Sequence, residues 1–240
     1  MNYYVLLLAL LTGLGSGTAQ AQRRSKVKIK TEAAPASAAS RYQPLFGGLS
    51  VAAAEGVMGP AFLPDIARSF PSRAEASRFF STKGYEYLTE GQLDTARYRF
   101  NLAWLLDQQN PEAYRGLGII SSRQPTPDAA ITLFAQGLAI APANAGIMSD
   151  LGASYLLRYK QTRKKKDLEQ GLTYLEKATA ADPANATAWQ QLAQGYFLRE
   201  EYPKAWEAVH QGQSLNMTSI DFDFIGELQA KLPDPRGMFK

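Results

Sequence analysis

SRFFSTKGYEYLTEGQLDTARYRFNLAWLLDQQN (Ser77–Asn110) runs directly into PEAYRGLGIISSRQPTPDAAITLFAQGLAIAPAN (Pro111–Asn144), and each stretch is 34 residues long. Superposed by number, Phe80 meets Tyr114, Gly84 meets Gly118, Ala96 meets Ala130 and Phe100 meets Phe134. The register continues through Ala145–Asn185, which carries seven extra residues, and Ala186–Ser219, which returns to 34. A unit of this length holds two amphipathic helices and cannot bury its apolar face alone, so it stacks on its neighbours. The expected fold is all-α, a solenoid of four helix–turn–helix units.

Three of the four small residues in the first helices are glycine: Gly84, Gly118 and Gly152, with Ala193 in the last unit. Glycine inside a helix costs about 1 kcal/mol relative to alanine. Its recurrence at one repeat position implies close passage of two backbones. Small residues at matching places in the second helices (Ala96, Ala130, Gly171, Ala205) supply the other side, and the rings of Phe100 and Phe134 fill the space beside them.

This pattern resembles the tetratricopeptide repeat family from Ser77 to about Lys231. Phe80, Tyr114, Met148 and Trp189 hold the first-helix aromatic position, and Tyr87, Ser121, Tyr155 and Tyr196 follow the small residue. Ala103, Gly137, Ala178 and Gly212 are the second-helix small residues, and Pro142 and Pro183 close two units. Lys83 stands where the family has leucine, and Gln108 and Met217 replace closing prolines, in units where one face meets solvent. The resemblance implies a concave surface, lined by first helices, that holds a peptide or helix of another protein. By register its lining is Tyr85, Arg115, Ile119, Ser122, Asp150, Gln190, Gln194 and Phe197. That mixture of aromatic, amide and a few charged groups suits an extended peptide. The basic-plus-asparagine clamp that some members use for a terminal carboxylate is missing, since Ser81 and Tyr85 occupy its first-unit places.

Boundary signals agree with the period. Ser72-Arg73-Ala74-Glu75 is a capping-box pattern, and Asn110-Pro111 and Thr126-Pro127 each place a capping residue before a helix-starting proline. Ile220–Lys231 reads as a last amphipathic helix whose Phe222, Phe224, Ile225 and Leu228 close the open end, with residues 233–240 as a short tail. Two helices in each of four units plus this one give nine from Ser72 to Leu232.

Ahead of the array, Val5–Leu11 is apolar and Ala19-Gln20-Ala21 fits a signal-peptidase site, so residues 1–21 read as an export signal to a periplasm or cell surface. The apolar run is far short of the ~20 residues that span a bilayer. Arg23, Arg24, Lys26, Lys28 and Lys30 follow it on the side where positive charge opposes translocation, so a cytoplasmic chain is the alternative. Residues 22–71, small and basic, read as a largely disordered tail. Its Phe46 and Phe62 are candidates to dock on the folded part or in a neighbour's groove, which would make the protein a homo-oligomer.

Composition excludes several chemistries. The chain has no cysteine and one histidine, His210, which removes thiol catalysis, disulfides and Cys/His zinc sites, and no cofactor is expected. Register places His210 on the surface. No nucleophile–base pair is identifiable, so an enzyme is not expected. Residues 77–240 carry 18 Lys+Arg against 18 Asp+Glu, a balance that argues against a nucleic-acid partner. Arg158, Lys160, Arg163, Lys164, Lys165 and Lys166 span the seven-residue insertion and read as a solvated loop, or as a contact for an acidic partner or anionic lipid.

Overall fold

The computed structural model describes residues 38–216 and 221–239. The signal reading of residues 1–21, the basic run after it and the closing position of Met217 lie outside the described residues. Among the described residues from Arg73 onward nine helices follow one another: α4 (Arg73–Thr89), α5 (Leu93–Leu106), α6 (Pro111–Ser121), α7 (Asp128–Ile140), α8 (Ala145–Thr162), α9 (Lys165–Ala181), α10 (Ala186–Leu198), α11 (Tyr202–Leu215) and α12 (Phe222–Lys231). They pair as α4–α5, α6–α7, α8–α9 and α10–α11, and each pair leans its second helix on the first helix of the next.

The glycine positions are where the hairpins touch. A Cβ on Gly152 would stand 2.7 Å from Leu175 Cγ and 2.9 Å from the carbonyl of Gly171, and one on Gly171 would stand 3.1 Å from the carbonyl of Gly152. One ring serves two units: Phe100 lies so close to Gly84 and Gly116 that a Cβ there would fall 2.7 and 2.2 Å from it. Phe134 does the same beside Gly118. Ala96, Phe100, Leu151 and Leu175, at most 1% exposed, continue this seam through the stack.

Starts of helices follow local chemistry. Ser72 Oγ accepts the N–H of Glu75, and Asn110, Asn144, Asn185 and Asp221 cap α6, α8, α10 and α12 in the same manner. The expected Thr126 cap does not form. Helix α7 begins one residue later, after Pro127, with no side-chain cap.

Four sequence expectations are corrected at the ends of the array. Residues 38–71 are ordered: after a 3-10 turn at Ala38–Tyr42 come α1 (Leu45–Gly48), α2 (Val51–Met58) and α3 (Phe62–Ser69). The apolar residues scattered among small ones outweigh the tail-like composition, because Phe46 is fully buried and sits 6.2 Å from the Trp104 ring. Phe62 packs against the same cluster. Both candidates for a neighbour's groove are therefore engaged within their own chain. Helix α1 is one left-handed turn, with φ of +52° at Leu45 and +54° at Phe46. Asn101, fully buried on α5, holds it by accepting from Leu45 N at 2.9 Å and donating to the carbonyls of Arg41 and Gln43 at 2.8 and 2.7 Å.

At the other end, Phe224, Ile225 and Leu228 of α12 cover the last hairpin as expected, but Phe222 points away and is 71% exposed. Residues 233–239 are ordered too. Asp234 accepts the backbone N–H groups of Arg236, Met238 and Phe239, folding the chain back so that Phe239 stacks on His210 and packs at a tilt against Trp206. His210 is consequently buried, with Nε2 3.0 Å from Asp234 Oδ1. Repeat register missed this because the covering residues lie beyond the last repeat.

The insertion is not a loop. Its seven residues lengthen both helices of the third hairpin, to 18 and 17 residues against 11 and 13 in the second, and leave a tight turn at Arg163-Lys164. Arg158 is structural: it grips Asp167 with two hydrogen bonds of 3.0 and 2.7 Å and reaches Asp128 at 2.7 Å.

Candidate functional site: the wall of first helices

Successive first helices are tied to one another by polar side chains on the wall they form. Tyr85 on α4 donates its hydroxyl to Glu112 on α6 at 2.6 Å. Arg115, one turn along, donates Nε to Asp150 on α8 at 2.8 Å. Ser149 on α8 donates to Gln191 on α10 at 2.6 Å. These contacts join all four units through side chains that remain half-open to solvent, apart from the buried Ser149.

Burial sets the electrostatics here. Desolvation pushes the Tyr85 phenol far above its ordinary value, and the Glu112 charge adds to it. Burial also raises the Asp150 carboxyl, against the opposing pull of Arg115. The guanidinium of Arg115 lies across Gly146, where a Cβ would meet it at 2.7 Å. Glycine at the start of α8 thus makes room for the ion pair.

The eight residues expected to line the groove divide into two groups. Tyr85, Arg115, Ile119, Ser122 and Asp150 come together on α4, α6 and α8. Ile119, Ser122 and Asp150 open into a shallow trough shared with Ala153, Ser154, Leu157 and Gln191. Gln190, Gln194 and Phe197 stand on α10 beside α12. The Phe197 ring packs edge-on against Phe224 at 5.5 Å, so the closing helix takes up most of its contact surface. Gln190 and Gln194 are half-buried, and neither side chain has a hydrogen-bond partner among the described residues. Helix α12 borders a cleft in which Gln194 meets Asp221, Asp223 and Glu227.

Sequence reading missed Glu112, Ser149, Gln191 and Leu157. Glu112 and Ser149 look like ordinary helix-start and small-residue positions in one dimension. Only the unit-to-unit offset that brings α4, α6, α8 and α10 side by side gives them partners.

No protein-family model matches the chain, and no curated protein does. Among solved structures, it is similar to TTC0263, a thermophilic tetratricopeptide protein of Thermus thermophilus, at 25% identity and a TM-score of 0.55, over 65% of this chain and 79% of that one. PilF of Pseudomonas aeruginosa gives 20% identity and a TM-score of 0.56, over 68% and 71% of the two chains. YrrB, a tetratricopeptide protein with an unusual peptide-binding site, gives 18% and 0.51, over 75% and 88%.

Stacked helical hairpins with an open wall of first helices define an all-α repeat protein. With its register, glycine seam and structural likenesses, this chain has a tetratricopeptide-type repeat fold. The architecture is that of a protein-interaction scaffold, since such arrays present an extended curved surface for binding.

Proposed function

We propose that this chain is a non-enzymatic adaptor of the bacterial cell envelope that holds an extended segment of another protein along its wall of first helices. The observation that carries the reading is the wall itself. It carries an apolar trough (Ile119, Ala153, Leu157) bordered by Gln191 and, farther along on α10, the unpartnered carboxamides of Gln190 and Gln194, the kinds of surface that a peptide's side chains and main chain require. The peptide-binding site of YrrB, on a related architecture, supports the same direction. The non-enzymatic part rests on the ladder: Tyr85, Glu112, Arg115 and Asp150 satisfy one another, and no nucleophile is paired with a base there. Export rests on the Val5–Leu11 run and the Ala19-Gln20-Ala21 site.

Site-specific photocrosslinking in cells tests the binding reading. A photoreactive residue at Leu157, on the wall, should capture a discrete partner, and one at Asp94, at the start of the second helix α5, should not. Equal capture from both positions would remove the wall from the account. Amino-terminal sequencing of the chain recovered from cells tests export: a start near Gln22 supports it, and a retained Met1 with cytoplasmic fractionation refutes it.

A further inference from the structure

The tip of the third hairpin has a chemistry that neither the repeat nor the wall uses. Arg163, Lys164, Lys165 and Lys166 are consecutive and all exposed, and among the described residues none of them forms an ion pair. Many basic residues elsewhere on the array are matched, as in Lys83–Glu86, Arg97–Asp94, Arg199–Glu169 and Lys204–Glu201, and the tip is where four unmatched ones are consecutive. The two carboxylates nearest the tip, Asp128 and Asp167, are occupied by Arg158. Lengthening of α8 and α9 carries these four cations outward from the body of the array.

The turn itself is informative. Arg163 adopts a left-handed conformation, φ +58° and ψ +19°, at the C-cap of α8. Glycine or asparagine occupies such a position with less strain. An arginine there keeps a charge at the tip against local backbone preference, and strain of this kind collects at functional segments.

We infer that this tip docks on an anionic bilayer surface, with lipid phosphate headgroups as the groups recognised. Lysine-rich character favours a headgroup layer over a protein face. Protein interfaces are depleted of lysine and anchored by aromatic residues, and the tip presents three lysines, its one nearby ring, Tyr159, being half-buried beneath Arg163. Clustered cations beside an anionic leaflet gain affinity additively and without fixed geometry, which suits four flexible side chains spread around a hairpin end. The four cations sit at the end of α8 and the start of α9, past the trough residues Asp150, Ala153 and Leu157.

Co-sedimentation of the full chain with phosphatidylglycerol-containing vesicles, against vesicles of phosphatidylcholine alone, is the test. Binding should be confined to the anionic vesicles and fall with salt. Each substitution among Arg163→Gln, Lys164→Gln, Lys165→Gln and Lys166→Gln should lower partition about five-fold. Lys160→Gln should change it little, because Lys160 faces the cleft bordered by Asp221, Asp223 and Glu227. Arg163→Gly separates fold from charge: it should melt higher and bind less. A second control neutralises Arg23, Arg24, Lys26, Lys28 and Lys30 together; if that variant alone loses partition, the tip is not the docking surface. Displacement by inorganic phosphate at matched ionic strength, or retention on polyglutamate without vesicle binding, would also overturn the inference.

Discussion

The carboxamide of Asn101 accepts the main-chain N–H of Leu45, 56 residues earlier, at 2.9 Å, and returns two hydrogen bonds to the carbonyls on either side of Tyr42. A single buried side chain thereby fixes a left-handed turn that its own residues disfavour by roughly 1–2 kcal/mol each where they carry a Cβ. Asn101→Ala should cost about 1–3 kcal/mol in urea unfolding, because it removes three hydrogen bonds to half-buried or exposed main-chain groups. It should also open the chain to trypsin at Arg41. A variant with native stability and native protease resistance would show that the segment is held by its apolar contacts alone.

Two glycines with opposite surroundings make a paired prediction. Gly152→Leu drives a side chain into Leu175 and the Gly171 carbonyl and should destabilise by about 1–3 kcal/mol. Gly226, in the interior of α12, has open space where a Cβ would go, so Gly226→Ala should stabilise by about 0.4–1 kcal/mol. Thermal melts of the two variants should move in opposite directions.

Arg158 is the basic residue of the insertion that folding needs. The Asp167 side chain is 5% exposed, so Arg158→Ala leaves a buried carboxylate without its partner, at about 3 kcal/mol. Arg158→Lys should recover only part of this, since one ammonium cannot reproduce the two-pronged grip on Asp167 or reach Asp128 as well. A double-mutant cycle with Asp167→Asn measures the coupling.

Acid should weaken the carboxyl-terminal fold in two stages. Burial holds the His210 imidazole below its ordinary pKa of 6.5, against the pull of Asp234. Its contribution is therefore present above 6.5 and is lost as pH falls toward the depressed folded value. Burial raises the Asp234 carboxyl, but the N–H groups of Phe239, Arg236 and Met238, with His210, hold it below its ordinary 3.8. Its share is lost only at still lower pH. Melting temperature followed from pH 8 downward, at ~0.5-unit steps, should fall first below the ordinary histidine range. His210→Gln should flatten that first decline and leave the second in place.

What was legible in one dimension was whatever repeats. The aromatic–glycine register at Phe80/Gly84 and Tyr114/Gly118 located the helices and their seam, and Asn110-Pro111 located a cap. Illegible were the contacts that happen once. Phe46 reads as a stray aromatic in a small-residue stretch until Asn101 is placed opposite it. His210 reads as a surface residue until Asp234 turns the chain back over it. The wall shows the same division: Arg115 and Asp150 followed from register, whereas Glu112 and Gln191 acquire their roles only from side chains one unit away.

The side-chain ties at the two ends of the array change how the molecule breathes. Both extremities are stapled, one by Asn101 and the other by the Asp234 turn, so the usual fraying of a solenoid from its ends is suppressed. Opening is expected to begin at the internal hairpins and to spread outward from there. Amide exchange should then be fastest near the middle of the array, and a partner gripping Arg115 and Ile119 would slow it there.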